Sequence, residues 1–377
     1  MKTNSCSTES ADKKECAGST NLFSPLTLRS ITFRNRIGVS PMCQYYSKDG
    51  FADDWHLVHL GSRAVGGAGL VIVEASAVEA RGRITPDDLG IYKDEHIAKL
   101  KQITGFISSF GAVPGIQIAH AGRKASSKNP WKEGNRHDKL AVSNEDGGWD
   151  IVGPSAIAFS ETSKLPTALS VTEIKEIQQK FVDAAKRSLE AGFTFLEIHA
   201  AHGYLLHSFY SPLSNQRSDE YGGSFENRIR FLVETVQAVR KTWPDNLPLS
   251  VRLSASDWVE GGWSVDDSVE LSKELKKLGV DIIDCSSGNI RSGDRYNMHP
   301  AWQVPLAESV RNQAKIPTAA VGMISDSKLA NEIITQGKAD MVLLARQMMR
   351  DPYWPYHAAQ ELGIEAITIP RNYSYAL

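Results

Sequence analysis

The chain has 377 residues, 41% hydrophobic and 23% charged, an ordinary globular composition with enough apolar material for one large α/β domain or two smaller ones. Lys+Arg 42 against Asp+Glu 44 gives a formal net charge of −2, so no basic field points to nucleic acid or anionic lipid. No apolar run reaches the length of a membrane span, and small neutral partners fit this balance best.

Residues 1–20, MKTNSCSTESADKKECAGST, lack the apolar centre of a signal peptide and have almost nothing to bury. They read as a disordered leader before one domain over 21–377. Cys6, Cys16, Cys43 and Cys285 form neither a disulfide framework nor a paired zinc spacing, which fits a reducing cytoplasm.

From residue 31 onward, short apolar or β-branched runs alternate with segments of helical period. The strand-like runs are 31–33, 36–42, 70–75, 113–120, 193–199, 249–253, 282–286, 318–321 and 341–345. Helical period falls at about 55–66, 94–109, 172–191, 226–241, 266–278, 303–313, 326–336 and 354–362, many opening on Asp, Ser or Thr suited to N-caps. Strand then helix, about eight times over, with strands too apolar to have a wet face, predicts a parallel sheet closed into a (β/α)8 TIM barrel. An open doubly wound sheet is the alternative, weakened by the missing G-x-G-x-x-G turn after the first strand. Between His120 and Thr172 lie about fifty residues, far more than an ordinary βα loop, which predicts a capping excursion over the barrel mouth after strand three.

Active-site side chains of such a barrel follow the C-terminal ends of its strands, and unusual polar residues collect there. Cys43 and Tyr45 follow the first strand, Gln117 and His120 end the third, His199 to Tyr204 end the fourth, and Arg252 ends the fifth. Gly288, Gly322 and Arg346 follow the last three strands, where backbone N–H groups approach a phosphate closely. Arg252 should point into the mouth and needs an anionic or electron-rich partner, or else a barrel carboxylate.

His199 and His202 have three readings: core histidines, a metal pair, or two neutral donors converging on one oxygen. H-A-A-H lacks the Glu of H-E-x-x-H, and zinc would want a third ligand, so the donor reading is the better one. Tyr204 is then a general acid for the same ligand, or a buried phenol capping the loop.

These residues belong to longer stretches: SPMCQYYSKDGFADDWH, GRITPDDLGIY, IQIAHAGRK, EIHAAHGYLLHSFYSPLSNQRSDEYGGSFENR, SVRLSASDW and MRDPYWPYHAA. From about residue 21 to its end the chain resembles the old yellow enzyme family, in its thermophilic-like subgroup of bacterial ene reductases. The resemblance implies FMN at the mouth of a barrel, reduced by NADPH or NADH and reoxidised by an activated alkene (enone, enal, maleimide or nitroalkene) in a ping-pong sequence. Carried over by position, His199 and His202 bind the substrate's carbonyl or nitro oxygen, and Tyr204 protonates the alkene α-carbon as flavin N5 delivers hydride to the β-carbon. Pro41, Met42 and Cys43 match the segment along the isoalloxazine, with Cys43 where the subgroup has a cysteine that tunes the flavin. Ala75 and Gln117 match its pyrimidine side, Arg252 the arginine near N1 and O2, and Gly288, Gly322, Ala345 and Arg346 the phosphate loops. Tyr45 matches a position lining the substrate pocket.

The chain departs from the family pattern at Ala345, where Gly is frequent, and at its end. In some members a neighbouring subunit's arginine reaches the active site; here Tyr375 aligns with it, with Arg371 a few residues earlier. Barrels of this kind form dimers or tetramers, so a homo-oligomer is expected. Relatives that act on dienoyl-CoA or amines carry an iron–sulfur domain, for which this chain has no suitable cysteine cluster. A non-catalytic flavin-binding redox sensor using Cys43 is the alternative from another class, and it gives no reason to keep the His-His-Tyr set.

Overall fold

The computed structural model describes residues 20–132, 140–364 and 370–376, so the leader, apart from its last residue, lies outside the described residues. The described chain opens with a hairpin of β1 (Leu26–Leu28) and β2 (Ile31–Phe33), then β3 (Ile37–Val39), α1 (Asp54–Val65), β4 (Leu70–Ala77), α2 (Ile97–Ser109) and β5 (Val113–Ala119). After β6 (Val152–Gly153) and β7 (Thr167–Ala168) come α3 (Val171–Glu190), β8 (Phe195–Ala200), α4 (Leu205–Tyr210), α5 (Phe225–Arg240), β9 (Leu249–Ser254) and α6 (Val265–Lys277). β10 (Ile282–Ser286), α7 (Val304–Ala314), β11 (Thr318–Ala320), α8 (Ser327–Thr335), β12 (Met341–Leu344), α9 (Arg346–Arg350) and α10 (Trp354–Leu362) complete the series.

Strands in the order β10-β11-β12-β3-β4-β5-β8-β9 close into a barrel, and each neighbouring pair is parallel. The predicted (β/α)8 barrel is therefore the fold, and closure excludes the open sheet. The predicted run 36–42 pairs only over Ile37–Val39, because Pro41 has no N–H for a ladder. The run at 70–75 continues to Ala77, and its register against β5 shifts between Val73 and Ser76. A shift of this kind re-aims side chains, and it falls where Glu74 and Ala75 sit.

Helix starts follow local chemistry. Asp53, Ser170, Ser224, Ser264 and Asp326 each accept a backbone N–H as N-cap of α1, α3, α5, α6 and α8, a contact typically worth about 1 kcal/mol. The apolar faces of these helices pack on the outside of the strands in the main core. A second cluster fills the barrel's N-terminal end: Leu28 and Phe33 of the hairpin plug it against Leu70, Val113, Phe195 and Ile282. Phe33 meets Phe195 edge-on with ring centroids 5.9 Å apart. With this end closed by hydrocarbon, the polar residues of the strands are left to the C-terminal mouth.

The long connection after β5 contains the two-residue parallel pair β6 and β7, and residues 133–139 within it lie outside the described residues. Its Ala121, Ala125 and Ile151 cluster with Ile84, and Cys43, Trp149 and Tyr204 pack against that cluster. Trp149 Nε1 donates to the Arg81 carbonyl at 2.8 Å, pinning the excursion beside the mouth. No described helix is long and apolar enough to cross a membrane.

Candidate active site

The β8 strand delivers His199 to the mouth and the chain then turns sharply. His202 has φ 59° and Gly203 φ 73°, a left-handed pair that favours glycine at the second position. A Cβ on Gly203 would meet the Asn289 carbonyl oxygen at 2.3 Å. The turn is held by Ser254 Oγ, which accepts the His202 N–H at 2.9 Å, and by His207 Nδ1, which accepts the Gly203 N–H at 2.8 Å. His207 is itself fixed by Asp257, 2.9 Å from its Nε2. The result brings three rings together: His199 lies 5.2 Å from His202 and 5.0 Å from Tyr204 by centroids, both edge to face.

Burial depresses the pKa of both histidines well below the ordinary value, and the Arg252 charge pushes the same way. Both imidazoles are therefore neutral, and each has one N–H donor and one lone pair. His199 Nδ1 accepts the Ala201 N–H at 3.3 Å, which leaves Nε2–H for a ligand. Burial also raises the Tyr204 phenol well above its usual range, assisted by the charge of Cys43 and then Asp88. Such a phenol keeps its proton until a strongly basic centre develops beside it. Lys124 Nζ lies 5.1 Å from the Tyr204 ring centroid and donates to the His202 carbonyl at 2.6 Å, bracing the turn from the segment that follows β5.

Pro41, Met42, Cys43 and Tyr45 follow β3 as a half-buried segment. Glu74 on β4 accepts the Gln44 N–H at 3.2 Å and ties that segment to the barrel. Tyr45 sits at φ 53°; its phenol is pushed far up by burial, then by Cys43 and Tyr204, so these three side chains are electrostatic neighbours. Ala75 and Tyr204 line one small cavity. His120, by contrast, is removed from ligand duty. Its Nε2 lies 2.7 Å from Glu79 Oε1 and its Nδ1 accepts the Gly122 N–H at 3.0 Å, so it serves the base of the excursion.

Across β5, β8, β9 and β10 runs a buried polar layer. Gln117 donates to Glu197 at 2.9 Å, and Ser250 donates to the other Glu197 oxygen at 2.9 Å. Arg252 stands in register with both His199 and Asp284, and its Nε is 3.0 Å from Asp284 Oδ2. Of the partners open to Arg252, the barrel carboxylate of Asp284 is the one that faces it. That contact is not a formed hydrogen bond: Arg252 Nε and both Asp284 oxygens have no hydrogen-bond partner among the described residues. Burial raises the pKa of Glu197 and Asp284.

Arg252 also lines a cavity of about 320 Å³ at the mouth, shared with Gly322, Ala345, Arg346, Arg350 and Ser286. Gly322 is at φ 112°, and a Cβ there would meet Gln303 Nε2 at 2.9 Å. Three guanidinium side chains, a backbone that only glycine leaves open, and serine and glutamine donors form a cradle for a phosphorylated polyhydroxy chain. Gly288, at φ 69°, lies just outside this lining; its carbonyl accepts from Ser254 Oγ at 3.0 Å. The guanidinium groups of Arg252, Arg346 and Arg350 and the open backbone at Gly322 therefore fit the phosphorylated chain of FMN. No group of three or more metal-binding side chains occurs among the described residues.

Residues 21–365 match the model of the NADH:flavin oxidoreductase / NADH oxidase family. The chain belongs to this family. An NADPH dehydrogenase of Geobacillus sp. (strain WCH70) is 48% identical over 346 residues, which are 91% of this chain and 95% of the relative. Morphinone reductase in complex with tetrahydroNAD superposes with a TM-score of 0.73 at 26% identity, over 93% of this chain and 92% of that one. A 2-naphthoyl-CoA reductase gives a TM-score of 0.82 at 25% identity over 90% of this chain, which spans only 52% of that longer protein. This flavin oxidoreductase is accordingly an enzyme that uses FMN and takes its reducing equivalents from NADPH or NADH, as the old yellow enzyme resemblance implied.

Sequence reasoning passed over several residues that shape the oxidoreductase's mouth. Glu197 and Asp284 were legible as charges inside the apolar runs FLEIHA and IIDCS. Lys124 stood within the matching stretch IQIAHAGRK. Arg350 stood within the matching stretch MRDPYWPYHAA, whereas Ser286 and Gln303 carried no signal, since serine and glutamine near strand ends are ordinary.

Proposed function

We propose that this flavin oxidoreductase is an ene reductase for activated alkenes such as enones, enals, maleimides and nitroalkenes. The observation that carries this reading is the meeting of two neutral imidazoles, one buried and one half-buried, and a high-pKa phenol within 5.0 and 5.2 Å. The chemistry that FMN would supply when bound is hydride transfer to the alkene β-carbon, with NAD(P)H as the source. His199 and His202 donate to the carbonyl or nitro oxygen. They draw electron density from the double bond and stabilise the enolate-like charge as it develops, without having to lose a proton. Tyr204 holds its proton through substrate binding and releases it to the α-carbon once that carbon becomes basic. Tyr45, and Trp149, which packs against the same small apolar cluster as Tyr204, shield this exchange from water.

In the same reading one FMN-binding domain spans 21–377, placed in the cytoplasm as a homo-oligomer. Pro41, Met42, Ala75, Gln117, Gly288 and Ala345 serve the cofactor as the family positions imply. The test is product analysis: NADPH-dependent conversion of 2-cyclohexenone to cyclohexanone, with one NADPH consumed per double bond. Flavin that is reduced by NADPH but turns over no alkene in a panel of the four classes would remove the ene reductase reading and favour a redox sensor.

A further inference from the structure

We infer that Trp258, Trp302 and Tyr296 form a stacking shelf on the rim of the mouth, which takes the adenine ring of NADPH or NADH while the nicotinamide end enters the site. Tyr296 lies against Trp302 with centroids 5.8 Å apart and planes at 24°, and Trp258 lies against Trp302 at 5.7 Å and 31°. These are stacking distances. The loops after β9 and β10 thus meet through their aromatic rings.

The shelf is continuous with the mouth. Tyr296 Oη accepts the Asn289 N–H at 2.7 Å, and its ring lies over Gly288, where a Cβ would meet Tyr296 Cζ at 2.6 Å. Pro300 and Gln303, on either side of Trp302 in the chain, line the mouth cavity together with Arg252. At the outer end Trp258 is 46% exposed. Its backbone has φ 58°, and Ser256 Oγ accepts its N–H at 3.0 Å. A bulky side chain in the left-handed region is strained, and an indole so exposed adds little to the core. Packing offsets neither cost, which leaves binding as the use of this residue.

Of the molecules that this enzyme handles, the pyridine nucleotide has a second planar ring, joined to the reacting one through a diphosphate. Its nicotinamide enters the mouth to give up hydride, so its adenosine end lies outside, against the rim. Arg291 and Arg295 stand exposed in the same loop as Tyr296, Arg291 with Asp294 at 3.0 Å. Guanidinium groups match the oxygens of phosphates. The inference concerns flavin reduction alone and goes beyond the ene reductase reading without depending on it.

The test follows flavin reduction in the holoenzyme with two hydride donors, NADPH and reduced nicotinamide mononucleotide, which has no adenosine. Native enzyme is expected to reach half-saturation at a concentration of NADPH at least about tenfold below that of the mononucleotide. Trp258→Ala should raise the NADPH value about tenfold, with the limiting rate and the mononucleotide value unmoved. Trp258→Phe, which keeps a stacking face, should stay within about threefold of native. 2′,5′-ADP, which has the adenosine and no nicotinamide, should compete with NADPH and do so about tenfold less well in Trp258→Ala.

Equal half-saturation of the native enzyme by the two donors overturns the inference, and so does an unchanged NADPH value in Trp258→Ala. An equal rise for both donors would mean that this loop shapes the mouth and holds no adenine. Altered oligomeric state in Trp258→Ala with native NADPH binding would make the shelf a contact between copies of the chain. Flavin that no alkene reoxidises would sink the ene reductase reading and leave this inference standing, since reduction alone is measured.

Discussion

The His199 imidazole meets the Tyr204 phenol edge-on, with centroids 5.0 Å apart and planes at 77°. In the proposed reaction one ring is a neutral donor and the other a proton source, both carried by one strand end. A substrate oxygen on His199 would then bring its α-carbon within the reach of Tyr204. Division of labour between the two follows from this placement.

Replacing Tyr204 by Phe keeps the ring contact and removes only the proton. The alkene half-reaction is expected to slow by about 10²- to 10⁴-fold, the usual contribution of a general acid. Flavin reduction by NADPH should change by no more than a few-fold. Stopped-flow absorbance separates the two, and equal losses in both would show that Tyr204 acts on flavin access and not on proton delivery.

Gly203→Ala tests the turn without touching a reacting group. The added Cβ would sit 2.3 Å from the Asn289 carbonyl at a φ of 73°, so His202 must move. Strain of this kind costs on the order of 1–3 kcal/mol. Phenol affinity is expected to fall at least about tenfold while FMN content, set mainly by the other strand ends, stays near one per chain. Unaltered phenol binding would mean that His202 is not part of the oxygen site.

For Arg252→Met the expected result is loss of both stability and flavin. Asp284 is left buried opposite no cation, and breaking a buried pair from one side costs roughly 3–5 kcal/mol. Adding Asp284→Asn should recover much of the melting temperature without recovering FMN affinity. If the double variant rebinds FMN as tightly as the native chain, Arg252 serves the barrel only.

Much of this site was legible before any coordinates. His199, His202 and Tyr204 stood out because polar side chains ending an apolar run at a barrel mouth have few structural uses, and the eightfold alternation placed that run on a strand. The partner of Arg252 was not legible, because Asp284 lies in another strand and only the β9–β10 register aligns them. Nor was the diversion of His120 to Glu79, a contact between residues 41 positions apart. Side-chain pairings between strands depend on register and tilt, and a single sequence carries neither.

The pH dependence of stability has a separate source in α1. Burial holds His59 at a pKa of about 3, with Arg63 and His56 adding to the effect. Between about 6.5 and 3 the unfolded chain binds a proton there that the folded chain does not, so stability declines as pH falls through this window and is unaffected by this group above it. The loss is about 1.4 kcal/mol per pH unit below 6.5. His59→Gln should therefore unfold in urea with a shallower pH dependence, the difference reaching about 2 kcal/mol at pH 5. Parallel curves for the two proteins would place His59 in contact with water.

The most direct measurement is an anaerobic two-step reaction of the purified holoenzyme. NADPH is added until the yellow flavin absorbance is bleached, excess nucleotide is removed, and 2-cyclohexenone or N-methylmaleimide is mixed in. The yellow absorbance is expected to return with one equivalent of alkene, and to return at least about a hundred times more slowly in Tyr204→Phe. Flavin that stays bleached with every alkene, or that is reoxidised equally fast without Tyr204, would contradict the assignment of His199, His202 and Tyr204 to alkene reduction.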